Sequence, residues 1–189
     1  MKQDPKMTVA SFSPALDALF TYLDSLTSRA PADDLRDKLI ETNITLDDVR
    51  PFVRFSATQY LRNLIHAGHN YHALAICWKS GQRSPIHNHA ESVCGVKVLQ
   101  GTATETLFDM TPCGQLKAVG SRDHEQGCVM ASCDDDTHQV SNLQAVDDDL
   151  VTIHVYSPPL FRMDTFSLTN QRIGEFRPMV LEQSFGSGI

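Results

Sequence analysis

Near residue 56 the hydrophobic pattern of this chain changes period, and that switch limits the fold more than any other feature. Before it, Leu16, Leu19, Phe20, Leu23 and Leu26 recur at helical spacing behind Ser13-Pro14, a capping Ser followed by Pro at the first helical position. Pro31 opens a second short helix carrying Leu35, Leu39 and Ile40, and Thr45 is placed to cap a third turn rich in Asp47 and Asp48. After the switch, apolar runs are short and turn residues frequent. Residues 73–78 read as a buried strand stopped by Lys79-Ser80-Gly81. Residues 93–99 and 102–108 flank Gln100-Gly101 as the two arms of a hairpin. Residues 128–131, 139–140 and 150–156 are further strands, with Gly114, Gly120, Gly127 and the acidic triplets 134–136 and 147–149 between them. This pattern predicts a sandwich or barrel rather than an alternating parallel sheet. Three short helices bury too little by themselves, so they predict a layer laid on the strands. The expectation is one mainly β domain over 1–189: a polar tail at 1–12, a helical layer at 13–55 and a barrel at 56–182.

Composition narrows the class. A chain of 189 residues suffices for one sizeable core. With 41% apolar and 21% charged residues, a disordered or collagen-like chain is excluded. Sixteen Lys and Arg against 23 Asp and Glu give a net charge of −7, which argues against nucleic acid or an anionic membrane as partner. No apolar run approaches the ~20 residues of a membrane span, and the opening MKQDPKMTVASFSP has no apolar stretch fit for a signal peptide. Five cysteines without a CxxC pair fit reduced thiols, so a cytoplasmic location is expected.

The histidines carry the chemistry. His87-Asn88-His89 places two imidazoles on one face of a strand, about 7 Å apart along the backbone, as two ligands of one metal require. Five residues separate Gly81 from His87, four separate His89 from Cys94, and six separate Cys94 from Gly101. This resembles the first motif of the cupin superfamily, with Cys94 where most members place a metal-binding Glu. Ten residues separate Gly127 from His138 and three separate His138 from Asn142, which is similar to the second motif, whose central PxG is here Cys133-Asp134-Asp135. The resemblance implies a cupin double-stranded β-barrel, or jelly roll, in which His87, His89 and His138 converge. Imidazole suits iron, zinc, copper and nickel alike. Three neutral imidazoles leave a ferrous ion formally dicationic, a match for a substrate that brings its own anion, such as a thiolate. Glu91, two beyond His89, is a rival ligand on an ideal strand, unless a turn after the histidine pair breaks the alternation.

More of the chain resembles cysteine dioxygenase. The likeness rests on Ser84-Pro85-Ile86-His87-Asn88-His89, Cys94, Lys97-Val98-Leu99-Gln100-Gly101 and Glu105-Thr106-Leu107-Phe108. Tyr60-x-Arg62-Asn63 and Cys77-Trp78 extend it upstream, and His154-Val155-Tyr156-Ser157-Pro158-Pro159 downstream, with weaker likeness through Met179 and Phe185-Gly186. It implies one Fe(II) per chain on His87, His89 and His138. L-cysteine would chelate that iron through thiolate and amine, and both atoms of O2 would end on sulfur as cysteine sulfinic acid. Arg62 would clamp the substrate carboxylate, a pairing that a planar guanidinium makes bidentately. Tyr60 would lie beside that clamp, with a structural strand Tyr as the alternative. Tyr156 would face the iron, and His154, two residues back, would orient its hydroxyl. Thr152, where the family often has Ser, keeps the hydroxyl leading to His154. In animal members the residue matching Cys94 forms a thioether to the residue matching Tyr156, whereas many bacterial members have Gly there. This chain holds both residues, so a crosslink and a free buried thiol both stay open. It departs from the family at Asn88, where Asp is usual and where the side chain should point away from the metal, and in the segment around His124 and Cys133.

Other residues are read more plainly. His66, His69 and His72 suggest a solvated turn rather than a second metal site, and His124 between Asp123 and Glu125 an exposed loop. Trp78 reads as packing, although in the family it borders the pocket. Cys77, Cys113, Cys128 and Cys133 read as structural or incidental, and Ser157-Pro158-Pro159 as a rigid turn with scope for a cis bond. The leading reading is therefore a thiol dioxygenase acting on L-cysteine. Its nearest rival is a 3-mercaptopropionate dioxygenase, whose members typically carry Gln where this chain has Arg62. From another class come a metal- or ligand-binding cupin without catalysis and a zinc or nickel isomerase. The resemblance also implies a monomer.

Overall fold

A computed structural model describes residues 12–133 and 137–182. Most of the expected polar tail, the acidic triplet 134–136 and Phe185-Gly186 lie outside the described residues. Helix α1 (Pro14–Ser25) starts as expected, with Pro14 in its first turn and the Ser13 hydroxyl accepting from the Leu16 amide at 3.4 Å. Helix α2 (Ala32–Glu41) follows Pro31, and the single turn α3 (Leu46–Val49) runs into a 3-10 turn at Arg50–Phe52. The Asp48 carboxylate accepts from both the amide and the hydroxyl of Thr45, each at 2.7 Å, which anchors the start of α3. No helix of the described residues is long and apolar enough to cross a membrane.

The strands are β1 (Leu61–Ala67), β2 (His72–Trp78), β3 (Ile86–His87), β4 (Val93–Gln100), β5 (Ala103–Met110) and β6 (Leu116–His124). They continue with β7 (Val129–Cys133), β8 (Thr137–Ser141), β9 (Leu150–Ser157), β10 (Met163–Phe166) and β11 (Gly174–Phe176). One sheet runs β1-β2-β9-β4-β7 and the other β11-β10-β3-β8-β5-β6. The two sheets are the walls of a cupin double-stranded β-barrel, and both supply residues to one internal cavity.

Why β9 is buried along its whole length follows from what covers each face. Val151, Ile153 and Val155 point out, into a core shared with Leu16, Leu19, Phe20, Leu35 and Leu39 of the helices. Leu150 and Tyr156 point in, packing with Leu74, Ile76 and Trp78. The helical layer thus covers the back of the five-stranded sheet, and each fully buried aliphatic side chain there contributes about 1.5–3 kcal/mol. Helix α2 lies so close that a Cβ at Gly95 of β4 would come within 2.7 Å of the Leu35 side chain.

Two expectations fail. Strands β4 and β5 do not form a hairpin: β4 pairs with β7 and β9, and β5 with β6 and β8. Gln100-Gly101 instead carries the chain from one sheet to the other, with Gly101 at φ +78° and against the Asp149 carbonyl, which a Cβ would approach to 2.8 Å. The second is the reading of His66, His69 and His72 as a solvated turn, which holds for His69, exposed between β1 and β2, and fails for the other two. The His66 ring packs on Phe12 and Phe20 with centroids 5.4 and 4.8 Å away, and His72 meets Phe161 edge-on at 5.3 Å. Among the described residues the three do not belong to a group of convergent metal-ligating side chains. The five cysteines form no disulfide, and Cys113 and Cys133 are exposed. The Ser157-Pro158 bond is cis, and the Ser157 hydroxyl accepts from the Ala30 amide and donates to the Asn70 carbonyl, both at 2.9 Å.

Candidate active site

His87 and His138 face each other across the β3–β8 pairing. His89 follows just beyond the end of β3, and Ala90 and Glu91 then adopt φ +45° and +74°. That left-handed turn breaks the strand alternation. It leaves Glu91 exposed, with its carbonyl accepting from Arg29 Nη1 at 2.9 Å, so the rival ligand is absent from the cluster. Asn88 also points elsewhere, accepting from the Asp164 amide at 3.2 Å. The imidazole centroids are 5.4 Å apart for His87 and His89, and 4.8 Å for His138 with each of the others. Among the described residues this is the one group of metal-ligating side chains whose donor atoms gather within 4.8 Å.

The ring nitrogens show how a metal fits. His87 Nδ1 donates to the Pro85 carbonyl at 2.9 Å, and His138 Nδ1 donates to Glu105 Oε1 at 2.7 Å. His138 Nε2 and His89 Nδ1 are buried with no hydrogen-bond partner. A buried polar atom without a partner costs on the order of 1–3 kcal/mol, and a cation among the three rings would offset that cost at His138 Nε2. Burial, with the neighbouring His138 adding to it, pushes His87 down to about 3. His89 is pushed well below its ordinary value for the same reasons. Both rings are therefore neutral near pH 7, the state that ligates a metal.

A pH dependence follows. His87, His89 and His154 all titrate below the ordinary histidine value of 6.5 in the folded chain, chiefly through burial. The unfolded chain then binds more protons below pH ~6.5, and folding stability falls with pH by up to about 1.4 kcal/mol per unit for each such histidine. Urea unfolding of the metal-free protein should show a lower midpoint at pH 5 than at pH 7. Equal midpoints would contradict this.

Opposite the imidazoles lies a cation. Arg62 on β1 is 5% exposed, its guanidinium sits 5.0 Å from the Tyr156 ring centroid, and its Nε has no hydrogen-bond partner. Among the described residues no carboxylate pairs with it. Tyr60, on the loop entering β1, stacks on Trp78 at 4.3 Å. Burial raises the Tyr60 pKa, and the charge of Arg62 opposes that rise.

Strand β9 supplies the third side. Tyr156 Oη lies 3.2 Å from His154 Nδ1, His154 Nε2 lies 2.9 Å from Thr152 Oγ1, and Trp78 Nε1 donates to the same hydroxyl at 3.2 Å. Thr152 in turn donates to the Ile76 carbonyl at 3.4 Å. A neutral His154 that accepts from Tyr156 and donates to Thr152 satisfies all these contacts at once. Burial raises the Tyr156 pKa, so the phenol keeps its proton. Cys94 is directly opposite Tyr156 in the β4–β9 pairing, and burial pushes its thiol up to about 12. All these groups line one cavity of about 240 Å³, whose apolar wall includes Ile76, Val96, Leu107, Met130 and Val140.

Two lining residues were not expected to take part. Glu105 accepts from His138, as above, and its second oxygen accepts from His124 Nε2 at 3.1 Å. His124 is thus not in an exposed loop: it ends β6 with 13% of its side chain exposed. The inward alternation of Ala103, Glu105 and Leu107 in β5 could have revealed Glu105. Nothing comparable marked His124, because β6 is largely exposed and has no apolar period.

A family model described as cysteine dioxygenase type I matches residues 8–169. Cysteine dioxygenase type 1 of Danio rerio is 34% identical over 137 residues, covering 67% of this chain and 64% of that protein. The protein of the same name from Homo sapiens is 32% identical over 127 residues, covering 65% of this chain and 62% of its own length. The chain thus spans just under two thirds of the length of these relatives. Among solved structures, a Thermus thermophilus protein, TT1209, superposes with a TM-score of 0.50 at 14% identity, covering 61% of this chain and 99% of that one, a likeness of fold alone.

Proposed function

Because the chain belongs to the cysteine dioxygenase type I family, we propose that it oxidises L-cysteine with O2 to cysteine sulfinic acid in the cavity bounded by His87, His89, His138, Arg62 and Tyr156. The observation that carries this reading is Arg62. A buried guanidinium without a carboxylate partner, sharing a cavity with three convergent imidazoles, calls for a ligand that has both an anion and a metal-binding group. Cysteine has a carboxylate for the first, and a thiolate and an amine for the second.

Ferrous iron held by His87, His89 and His138 would supply a Lewis acid for thiolate and amine and the electrons that activate dioxygen. The protein's own groups do the rest. Arg62 takes the carboxylate bidentately and fixes which end of the substrate faces the imidazoles. Tyr60, stacked on Trp78, closes the side of the pocket next to Arg62. Tyr156 stays protonated, and its O–H donates to His154, which holds the phenol oxygen in place on the cavity wall. The apolar wall keeps water from the oxidised sulfur.

The same reading includes a thioether between Cys94 Sγ and the Tyr156 ring. Their opposition in the β4–β9 register and their complete burial support it. Bond formation breaks the S–H bond and one ring C–H bond, and the two protons and two electrons released reduce one dioxygen to hydrogen peroxide. Intact mass after turnover should then lie about 2 Da below the sequence mass. A mass that stays unchanged after many turnovers would retire the crosslink.

Oxygen uptake by anaerobically Fe(II)-loaded protein, with L-cysteine and 3-mercaptopropionate compared in parallel, tests the function. Uptake with cysteine, matched by sulfinate, is expected. Uptake with the amine-free thiol alone would move the assignment to that substrate, and silence with both in iron-loaded protein would favour a binding cupin.

A further inference from the structure

Each of the three convergent histidines is held differently. His87 Nδ1 is held by a backbone carbonyl, His89 Nδ1 by nothing among the described residues, and His138 Nδ1 by the carboxylate of Glu105 at 2.7 Å. Glu105 is itself pinned. Its other oxygen accepts from His124 Nε2 at 3.1 Å, and His124 Nδ1 lies 3.5 Å from Cys128 Sγ, which donates to it. The sheet register makes the arrangement: Leu107 is opposite His138 and Ala103 opposite His124, so Glu105, midway between them on the inner face of β5, reaches diagonally to both neighbouring strands. With both oxygens engaged, the carboxylate cannot swing into the cavity and become a fourth ligand.

We propose that Glu105 is the positioning residue of the metal centre. It fixes His138 with the proton on Nδ1 and the lone pair of Nε2 aimed at the metal, and it supplies through that hydrogen bond the negative charge that three neutral imidazoles lack. His124 acts one step further out, holding Glu105 in the orientation that does this. The proposal rests on the three-histidine metal site and says which residue makes that site bind well.

The test needs no turnover. Nitrogen-15 histidine NMR of the metal-free protein should show His138 protonated on Nδ1 alone in the wild type and in Glu105→Gln, whose side-chain carbonyl still accepts. A tautomer mixture is expected in Glu105→Ala. Competitive Co(II) titration should show affinity about 10- to 100-fold lower for Glu105→Ala, with Glu105→Gln between it and the wild type. Unfolding midpoints of the metal-free variants separate loss of positioning from loss of fold. A wild-type His138 carrying its proton on Nε2, or a Glu105→Ala affinity equal to that of the wild type, would overturn the proposal. Failure of the wild type to bind Co(II) at all would instead remove the metal site on which it depends.

Discussion

Arg62→Gln should lower cysteine turnover at limiting substrate by about 2–5 kcal/mol, thirtyfold or more, because truncating one partner of a buried charge pair strands the other. Its effect on 3-mercaptopropionate separates two roles. That substrate has the same carboxylate without the amine, so a guanidinium that clamps the carboxylate should matter to its turnover as well. Gln retains an amide donor and is shorter and uncharged, so the pocket keeps its shape while losing the guanidinium that now has no partner at Nε. Steady-state kinetics on both thiols is the measurement. Unchanged turnover of both thiols, or a loss confined to the one with the amine, would remove Arg62 as the carboxylate clamp.

His89→Ala should abolish stoichiometric iron binding and lower turnover by on the order of a thousandfold or more, since a metal of this kind contributes several kcal/mol to the reaction. Its effect on the fold should go the other way. His89 is buried with Nδ1 unpartnered, so its removal takes away a desolvated polar atom, and the metal-free variant should be about as stable as the metal-free parent, within about 1 kcal/mol. Loss of function without loss of stability is the mark of a group kept for its chemistry. Metal analysis after dialysis and urea unfolding together check this. A variant that keeps iron, or that loses its fold, would contradict the role.

What could be read in the sequence was what local chemistry determines. Ser13-Pro14 and Thr45 mark helix starts because a cap needs only its own few neighbours, and the apolar runs at 73–78 and 150–156 are strands because both faces are covered. The histidine pair stands out by spacing, and the turn after His89 reverses the alternation that would have made Glu91 a ligand. Partners are another matter. The arms around Gly101 look like a hairpin in every local respect, and only the competition of β9 and β7 for β4 sends β5 to the other sheet. Strand β6 is an exposed edge with no buried stripe to give it a period, so its existence, and with it the place of His124, depends on pairing with β5. Glu105 lies in between: its strand is clear, but its meaning depends on which residues the neighbouring strands set diagonal to it.

The central claim is that this cavity transfers both atoms of dioxygen to the sulfur of cysteine. The most direct measurement is the mass of the product formed by Fe(II)-loaded protein from L-cysteine under ¹⁸O2 in ordinary water. Cysteine sulfinic acid carrying two heavy oxygens is the predicted result. A sulfinate with one label, or cystine as the sole oxidised product, would contradict it.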